Sequence, residues 1–523
     1  MPPLERHLAG RTLILLSNRE PYEHVAPPAD VGGPPSVRRP AGGLVSALDP
    51  TMHETQGVWV AWGSGTADRD VVDDGDRVMV PPDDPAYTLR RVWLDDADIE
   101  GYYLGFANSA LWPLCHLLLQ HYSFRQEHWD RYVDVNARFA DAAADEVRRA
   151  RGAPVVWVQD YHFALAAQQI RERLADDVRG ARTRIHQFWH IPFPPPDIHN
   201  LLPTEVREAV LRGLLGNDLV EFHTERHVLN FMDCVAAFVP GAVVRREDRH
   251  IRVDGRTVQV GAFPISIDVE RYEQLAVAGE ERARELHARW AGPDCRLGVS
   301  VDRIDYTKGI PERLRAIEQL YELAPELSGC LTWLVVATPS RSELASYADL
   351  EQEVLEGVAA VNARWGNVDW QPIVLVRDNV GAEELAAIYR AADLCLVSSL
   401  QDGMNLVAKE FVACQVDEQG VLVLSRFTGA ASEIDGAVLI NPFNVDGFVD
   451  GLREALAMPA AERKERMHAM REQLRGATIF DWLDAILGRV AALDDMPPRT
   501  MPRAPASAPP SVSGDATGPG LGR

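Results

Sequence analysis

One stretch of the sequence, VSVDRIDYTKGIPERLRAIEQL at residues 299–320, combines a short apolar strand with an amphipathic helix. The polar loop between them contains Arg303 and Lys308. In parallel α/β sheets such loops lie at the carboxyl ends of the strands, where ligands bind beside a helix N-terminus. The two cations suit a diphosphate, because arginine binds oxygen pairs and lysine supplies a point charge. A surface loop in which both cations pair with neighbouring aspartates is the alternative.

The same alternation of β-branched runs and amphipathic helical stretches continues along the chain and is typical of parallel α/β layers. It is interrupted by a β-rich stretch with an Asp-Gly turn at 254–255 and restarts at about residue 296. Because 523 residues exceed what one hydrophobic core usually serves, we predict two doubly wound Rossmann-like domains, residues 1–267 and 268–495. The Pro-, Ala-, Ser- and Gly-rich residues 496–523 are predicted to be disordered.

Composition excludes several classes of protein. A net charge of -24 and a pI near 5.1 argue against a nucleic-acid-binding surface. The six cysteines form no CxxC motif, which favours reduced thiols over disulfides or zinc. The N-terminus does not resemble a signal peptide and no apolar run approaches the length of a membrane span. We therefore expect a cytoplasmic protein without nucleic-acid or membrane partners.

Further polar residues follow other predicted strands. Asp160 comes directly after VVWVQ, and His190 follows a strand that ends in FW. Arg19 ends the first strand, and Gly43 precedes a helical run, where its N–H group could approach a phosphate. A lone histidine in such a place is more often structural, and a Gly-Gly pair is commonly a plain turn. Their shared position at strand ends favours one site.

The segment SSLQDGMNLVAKEFVACQ, residues 398–415, has carboxylates in an otherwise apolar helical pattern. Asp402 stands at the predicted helix start, where an N-cap is the simplest explanation. Glu410 falls about two turns later among apolar positions, and a buried carboxylate needs partners. The hydroxyl groups of a sugar or a ribose would supply them.

The aromatic segment GYYLGFANSALWPLCH, residues 101–116, has two interpretations. The pattern favours a core helix that includes Tyr103 and Trp112, and the alternative is a wall on which a sugar ring stacks.

Taken in order, these motifs resemble one family. SNR, GGL, YYxxFxNxxLWPxxH, VQDYH, HIPFP, DRIDYTKGIPERL, ATPSR and DGMNLVAKEFVA look like the trehalose-6-phosphate synthases. The match runs from about residue 11 to about residue 490. The resemblance implies a B-type glycosyltransferase fold, with two Rossmann-like domains facing a cleft and a C-terminal helix that returns to the N-terminal domain.

The resemblance also assigns roles. His190, Asp402, Arg303 and Lys308 would be catalytic, with His190 and Asp402 holding the transferred glucose. The remaining donor-binding residues would include Val376 near the base and Glu410 at the ribose. The full donor set it implies is Gly43, Arg303, Lys308, Val376, Asp402, Gly403, Met404, Asn405, Leu406, Val407 and Glu410. The acceptor set it implies is Arg19, Trp62, Tyr103, Trp112, Asp160 and Arg341.

The implied reaction is transfer of glucose, with retention, from a nucleotide-diphosphate-glucose such as UDP-glucose to glucose 6-phosphate. The product is α,α-trehalose 6-phosphate. No metal and no cofactor are expected, because cations and a helix end would stabilise the leaving phosphate. The resemblance further implies a homo-oligomer and a separate phosphatase that acts on the product.

Some features keep alternatives open. Gln401 stands where many family members carry arginine, and SNREPY also resembles glucosylglycerol-phosphate synthases, which use glycerol 3-phosphate. A catalytically silent regulatory subunit is a third reading, against which the retained Arg303, Lys308, Asp402 and Glu410 count. The sequence does not reveal the donor base.

Overall fold

A computed structural model describes residues 7–8, 10–28, 32–39, 43–292 and 295–493. The predicted disordered tail, residues 496–523, lies outside these ranges.

The first half of the chain forms a large, mostly parallel sheet. The strands of this half are β1 (Arg11–Leu16), β2 (Glu23–Val25), β3 (Ser36–Arg38), β4 (Val58–Trp62), β5 (Arg77–Val80), β6 (Tyr87–Val92), β7 (Ala153–Gln159), β8 (Arg184–Phe188), β9 (Leu219–Phe222), β10 (Val243–Arg245), β11 (His250–Val253) and β12 (Arg256–Ala262). The sheet order is β10-β11-β12-β9-β8-β7-β1-β4-β6-β5, and β2 and β3 pair separately. The outer strands β5, β10 and β11 run antiparallel to their neighbours.

Helices cover this sheet. They are α1 (Gly43–Thr55), α2 (Asp96–Asp98), α3 (Trp112–Cys115), α4 (Gln126–Arg149), α5 (Ala166–Arg173), α6 (Val178–Arg182), α7 (Pro196–His199), α8 (Thr204–Leu214) and α9 (Glu225–Phe238). A π-helical segment, Ile99–Leu111, leads directly into α3. It packs against α4 through Phe106, whose ring meets Trp129 edge-on at 4.8 Å.

The second half forms a smaller sheet in which every pairing is parallel. Its strands are β13 (Arg296–Arg303), β14 (Leu331–Thr338), β15 (Ile373–Val376), β16 (Leu394–Val397), β17 (Val421–Ser425) and β18 (Val438–Ile440), in the order β15-β14-β13-β16-β17-β18. Its helices are α10 (Val269–Ala278), α11 (Glu280–Trp290), α12 (Ile310–Leu323), α13 (Ala345–Trp365), α14 (Ala382–Ala391), α15 (Leu406–Cys414), α16 (Val445–Ala457), α17 (Ala460–Arg475) and α18 (Ile479–Ala492).

In each sheet, the strand order changes direction at the first strand of a Rossmann-like domain, β1 or β13. β1 lies between β4 and β7, and β13 lies between β14 and β16. Such a switch point opens a crevice at the carboxyl ends of the strands, where open α/β sheets bind their ligands. The predicted pair of doubly wound domains is confirmed, and the division between residues 267 and 268 stays a prediction.

The last helix leaves the second domain and packs on the first sheet. The Trp482 ring of α18 lies 5.8 Å from that of Trp157 in β7, and its Nε1–H donates to the Phe263 carbonyl at 3.1 Å. This confirms the expected return of the C-terminal helix. Among the described helices, none combines the length and the apolar character needed to cross a membrane.

Candidate functional site

A cavity of about 430 Å³ opens between the two domains, at the carboxyl ends of their strands. Both domains supply its walls. Of the residues singled out from the sequence, those that line it are Asp160, His190, Arg303, Lys308, Asp402, Met404, Asn405, Leu406 and Val407. Loops that are far apart in sequence therefore meet here, as the strand-end argument requires.

The centre of the cleft holds a buried ion pair. Lys308 Nζ lies 2.6 Å from Asp402 Oδ2, and both side chains are largely buried. Burial disfavours both charges, but the attraction outweighs it, so the pKa of Lys308 is raised and that of Asp402 is lowered. Ser399 and Asn405 also donate to Asp402 Oδ2, each at 3.2 Å. The pair is thus charged and held in place.

The N-cap of α15 is Asn405 and not Asp402. The Asn405 side-chain oxygen accepts the Ala408 N–H at 3.1 Å, and its backbone has φ 82°, a left-handed conformation that asparagine tolerates better than most residues. The interpretation of Asp402 as the N-cap is therefore wrong, because the helix begins four residues later, at Leu406. The N–H groups of Leu406 and Val407 lie in the first turn, where a helix lacks internal acceptors and favours an anion.

The aspartates flanking Arg303 are engaged elsewhere. Asp302 pairs with Arg313 of α12 at 2.6 Å, and Asp305 accepts from Arg341 at 3.0 Å. Arg303 itself is exposed, and its guanidinium donates to Ser340 Oγ at 3.3 Å. The ion-pair partners of these aspartates are thus arginines outside the loop, although both carboxylates still raise the pKa of Lys308.

Asp160 and His190 face the cleft from the first domain. Asp160 has φ 68°, and its Oδ1 accepts the His190 backbone N–H at 3.1 Å. Burial raises the pKa of Asp160 to about 7 in spite of such backbone hydrogen bonds. His190 Nε2 lies 2.9 Å from Gln159 Oε1, and burial lowers the pKa of His190 to about 3. Burial therefore favours the neutral ring, and the contact with Gln159 fixes its orientation.

Gly403 lies where the two cleft walls come into close contact. A Cβ atom at this position would lie 2.1 Å from the His190 carbonyl oxygen. Only glycine allows the Asp402 loop to approach the His190 backbone so closely.

Arg341, a predicted acceptor-binding residue, connects the two domains. Its guanidinium carbon lies 4.4 Å from the Trp112 ring centroid, which belongs to the first domain, and its Nη1 donates to Asp305 and to the Tyr347 hydroxyl. Although burial would raise the pKa of Asp305, Arg341 and nearby cations lower it to about 2. Trp112 is thus a core residue, and a role as a stacking wall for a sugar ring stays a prediction.

Tyr103 contacts a further predicted acceptor residue, Arg19. Its ring stacks on His162 at 5.9 Å, and Arg19 hydrogen-bonds its hydroxyl. Burial alone would raise the pKa of Tyr103, but Arg341, Arg19 and Arg303 together lower it to about 8. Three arginines from both domains therefore create one positive region in an acidic protein.

The other predicted residues lie beside the cleft. Trp62 ends β4, next to β1, and its half-buried ring packs on the core. Val376 ends β15, and Gly43 begins α1 next to residues 40–42, which are outside the described ranges. Among the described residues, none of these three lines the cavity, and the same holds for Gly403, Glu410, Arg19, Tyr103, Trp112 and Arg341.

Glu410 already has partners inside the protein. The Tyr389 hydroxyl donates to its Oε2 at 3.1 Å, and Tyr272 hydrogen-bonds the same carboxyl group. Burial raises the pKa of Glu410, and the two hydroxyls oppose that effect. The partners that the sequence argument demanded are tyrosines in this structure.

Several lining residues were not predicted. They are His223, Ile265, Val301, Asp302, Val336, Thr338, Asn379, Val380 and Leu385. His223 follows β9 as His190 follows β8, so the rule of polar residues at strand ends could have found it. The valines carried no such signal, because a β-strand residue that lines a cavity looks like any core residue.

Two Rossmann-like domains whose carboxyl-edge loops line one cationic cleft define the glycosyltransferases of the B type. The sequence matches the model of glycosyltransferase family 20 over residues 11–492. The chain belongs to glycosyltransferase family 20.

Relatives of this chain agree in sequence and in structure. It is 38% identical over 499 residues to a trehalose-6-phosphate synthase of Mycolicibacterium vanbaalenii, covering 93% of this chain and 97% of the relative. It is similar to the α,α-trehalose-phosphate synthase (UDP-forming) of Burkholderia xenovorans in complex with glucose 6-phosphate, with TM-score 0.77, 33% identity and coverage of 92% and 99%. It is also similar to the Escherichia coli protein bound with UDP-2-fluoro glucose, with TM-score 0.78, 31% identity and the same coverage.

Proposed function

We propose that this protein transfers glucose from a nucleotide-diphosphate-glucose to glucose 6-phosphate and forms α,α-trehalose 6-phosphate. The observation that carries the proposal is a set of four cations at and near one cleft. Arg303 and Lys308 line the cavity with Asp402, and Arg341, Arg19 and Arg303 together lower the pKa of Tyr103. Two anionic substrates, a diphosphate and a phosphate, need such cations.

On the donor side, the diphosphate would bind between Arg303, Lys308 and the first turn of α15. As the bond from the anomeric carbon to the diphosphate breaks, negative charge develops on the leaving oxygen. A lysine, an arginine and the helix N-terminus stabilise that charge without reorganising. The acceptor hydroxyl attacks from the same face, and its proton passes to the leaving phosphate oxygen, so the configuration is retained.

On the acceptor side, Arg341 and Arg19 would hold the 6-phosphate, since arginine matches the geometry of phosphate oxygens. The rings of Tyr103 and Trp112 would contact the apolar faces of the sugar. Asp160 and His190 would accept or donate hydrogen bonds to sugar hydroxyls. Glu410 binds the donor ribose in this proposal only if the ribose competes with Tyr272 or Tyr389 for the carboxylate.

The finer expectations belong to the same proposal. The reaction would need no metal or other cofactor, and the protein would be a cytoplasmic homo-oligomer. A separate phosphatase would act on its product. These statements rest on the resemblance and on the charge of the cleft.

One assay tests the proposal. The protein is incubated with UDP-, GDP- or ADP-glucose and with glucose 6-phosphate or glycerol 3-phosphate, and nucleotide release and the sugar product are measured. We expect a phosphorylated non-reducing disaccharide with glucose 6-phosphate. Turnover with glycerol 3-phosphate alone would assign the glucosylglycerol-phosphate activity instead, and no release with any pair would favour a silent subunit. Arg303→Ala serves as the inactive control.

A further inference from the structure

The segment that joins the two domains, residues 263–268, is here called the hinge segment. At its centre, Ile265 uses both of its backbone polar groups. Its N–H donates to His223 Nδ1 at 3.3 Å, and its carbonyl accepts from Lys409 Nζ at 2.8 Å. His223 follows β9 of the first domain, whereas Lys409 lies in α15 of the second. The backbone of one residue therefore connects both cleft walls.

The hinge segment is also fixed on either side of Ile265. The Phe263 carbonyl accepts from Trp482 Nε1 at 3.1 Å, and the Ile267 carbonyl accepts from the Ile479 N–H at 3.0 Å. Both donors belong to α18. Those two contacts come from the returning helix. Ile265 differs from them because it is bound directly by Lys409 of α15.

Lys409 is an unusual residue to bury. Its side chain is 3% exposed, and it pairs with Glu433 Oε2 at 2.5 Å. Burying an ammonium group costs free energy unless hydrogen bonds satisfy it. The two close partners of Lys409 therefore indicate a specific structural role. One partner is a carboxylate of its own domain and the other is the hinge backbone.

The residues next to this contact line the cleft. His223 and Ile265 are both part of the cavity wall, and the His223 ring lies 5.3 Å from that of His190. Lys409 lies in α15, whose first turn faces the donor diphosphate in the proposed function. Displacing the hinge at Ile265 would therefore move one wall relative to the other.

We propose that Lys409 and His223 are positioning residues for glucosyl transfer: by holding Ile265 from opposite sides, they set the distance between His190 and Asp402 across the cleft. This inference rests on the proposed function. Neither residue needs to touch a reacting atom for the effect. Transfer requires both walls in register, whereas binding of a nucleoside diphosphate would depend mainly on the second domain.

The test compares transfer with nucleotide binding. Lys409→Met keeps the side-chain length and the apolar stem but removes the ammonium group. We expect kcat to fall about 100-fold, the scale of a misplacement of about 1 Å at a reacting centre. The Kd of the nucleoside diphosphate that the wild type releases, measured by calorimetry on the same preparation, should stay unchanged.

Arg471→Met is the matched control. Arg471 is a buried cation that donates to the Val412 and Ala413 carbonyls at the other end of α15, without contacting the hinge segment. It should lower the melting temperature while kcat of the folded protein is retained. Equal losses of kcat in both variants would overturn the inference, and so would loss of nucleotide binding in Lys409→Met, which would give Lys409 a local role in the donor site.

A second pair of variants decides the matter if Lys409→Met does not fold. His223→Asn keeps an acceptor near the place of Nδ1, whereas His223→Phe keeps the ring and removes the acceptor. We expect Asn to preserve most of kcat and Phe to reduce it, with nucleotide Kd unchanged in both. Equal kcat in the two variants would overturn the inference. An inactive wild type would instead refute the proposed function, so the two failures are distinguishable.

Discussion

The two halves of the cleft are built in different ways. In the proposed function, the donor half comes almost entirely from the second domain, where Lys308 and Asn405 both donate to Asp402. The proposed acceptor half is shared, because Arg341 of the second domain lies over Trp112 of the first. The donor half would therefore depend mainly on the fold of the second domain, whereas the acceptor half would exist only where the domains meet. The donor should bind in the absence of the acceptor, whereas the acceptor should bind only weakly in the absence of the donor.

The largest effect is expected in the donor half. Lys308→Ala should reduce kcat by about 10²–10³-fold, since it removes a preorganised cation from the leaving phosphate. Steady-state kinetics with saturating substrates measures it. Lys464→Ala, at an exposed lysine of the same domain, is the control and should be without effect. Wild-type kcat in Lys308→Ala would show that charge is stabilised elsewhere.

The next effect tests the shared half. Arg341→Ala should raise the KM for glucose 6-phosphate by about 10- to 100-fold, because a charge-assisted hydrogen bond of about 1.5–3 kcal/mol is lost, and should leave the donor KM unchanged. Arg341→Lys should recover only part of this, since lysine cannot bind two oxygens in the same plane. The exposed Arg377→Ala is the control. A rise in the donor KM as well would remove the distinction between the halves.

Asp160 gives a smaller, pH-dependent effect. With a pKa of about 7, its carboxyl group ionises as the pH rises from 6 to 8, and the ionised form accepts stronger hydrogen bonds from acceptor hydroxyls. We expect kcat/KM for glucose 6-phosphate to rise about 10-fold over that range and to flatten in Asp160→Asn. Initial rates at several pH values measure it.

The stability of the fold should fall with rising pH, whereas the activity should rise. Because the folded state binds the Asp160 proton more tightly than the unfolded state, stability falls as the pH rises from about 4 to 7. Asp160→Asn should therefore raise the melting temperature at pH 8 relative to the wild type. Glu20, whose pKa burial also raises to about 7, provides the control Glu20→Gln. If Glu20→Gln abolishes the rise of kcat/KM with pH, that rise reflects the ionisation of Glu20 and not that of Asp160.

The smallest effect concerns a contact at the rim of the shared half. His121 of the first domain stacks on Tyr306 of the second, with ring centroids 4.0 Å apart. Aromatic pairs contribute about 0.5–1.5 kcal/mol, so His121→Ala should raise the KM for glucose 6-phosphate about 2- to 10-fold. The exposed His468→Ala should not. An equal change in the donor KM would place this contact outside the acceptor half.

The fold was largely predictable because its signals are local. The strands and helices that alternate along the chain each carry their own apolar period, and the turn at Asp254 and Gly255, with φ 49° and 74°, is the hairpin type that the dipeptide favours. The π-helical segment Ile99–Leu111 was not predictable, because its extra residue per turn is imposed by packing against α4.

The site was predictable only in part, for a related reason. Asp160, His190, Lys308 and Asp402 reach the cleft because they follow strands, which sequence reveals. The tyrosine partners of Glu410 could not be inferred, since nothing local links position 410 to Tyr272. Contacts between distant elements depend on the tertiary structure.

Because α18 packs on the first sheet, the first domain is not one continuous segment of the chain. His7 Nε2 lies 3.0 Å from Asp484 Oδ1, so the two extremes of the described chain are neighbours on the first sheet. A truncation after residue 267 would expose the face of Trp157 that Trp482 covers. A circular permutant that joins α18 ahead of β1 would instead carry the whole first domain as one continuous segment, and it is the natural design for obtaining each half alone.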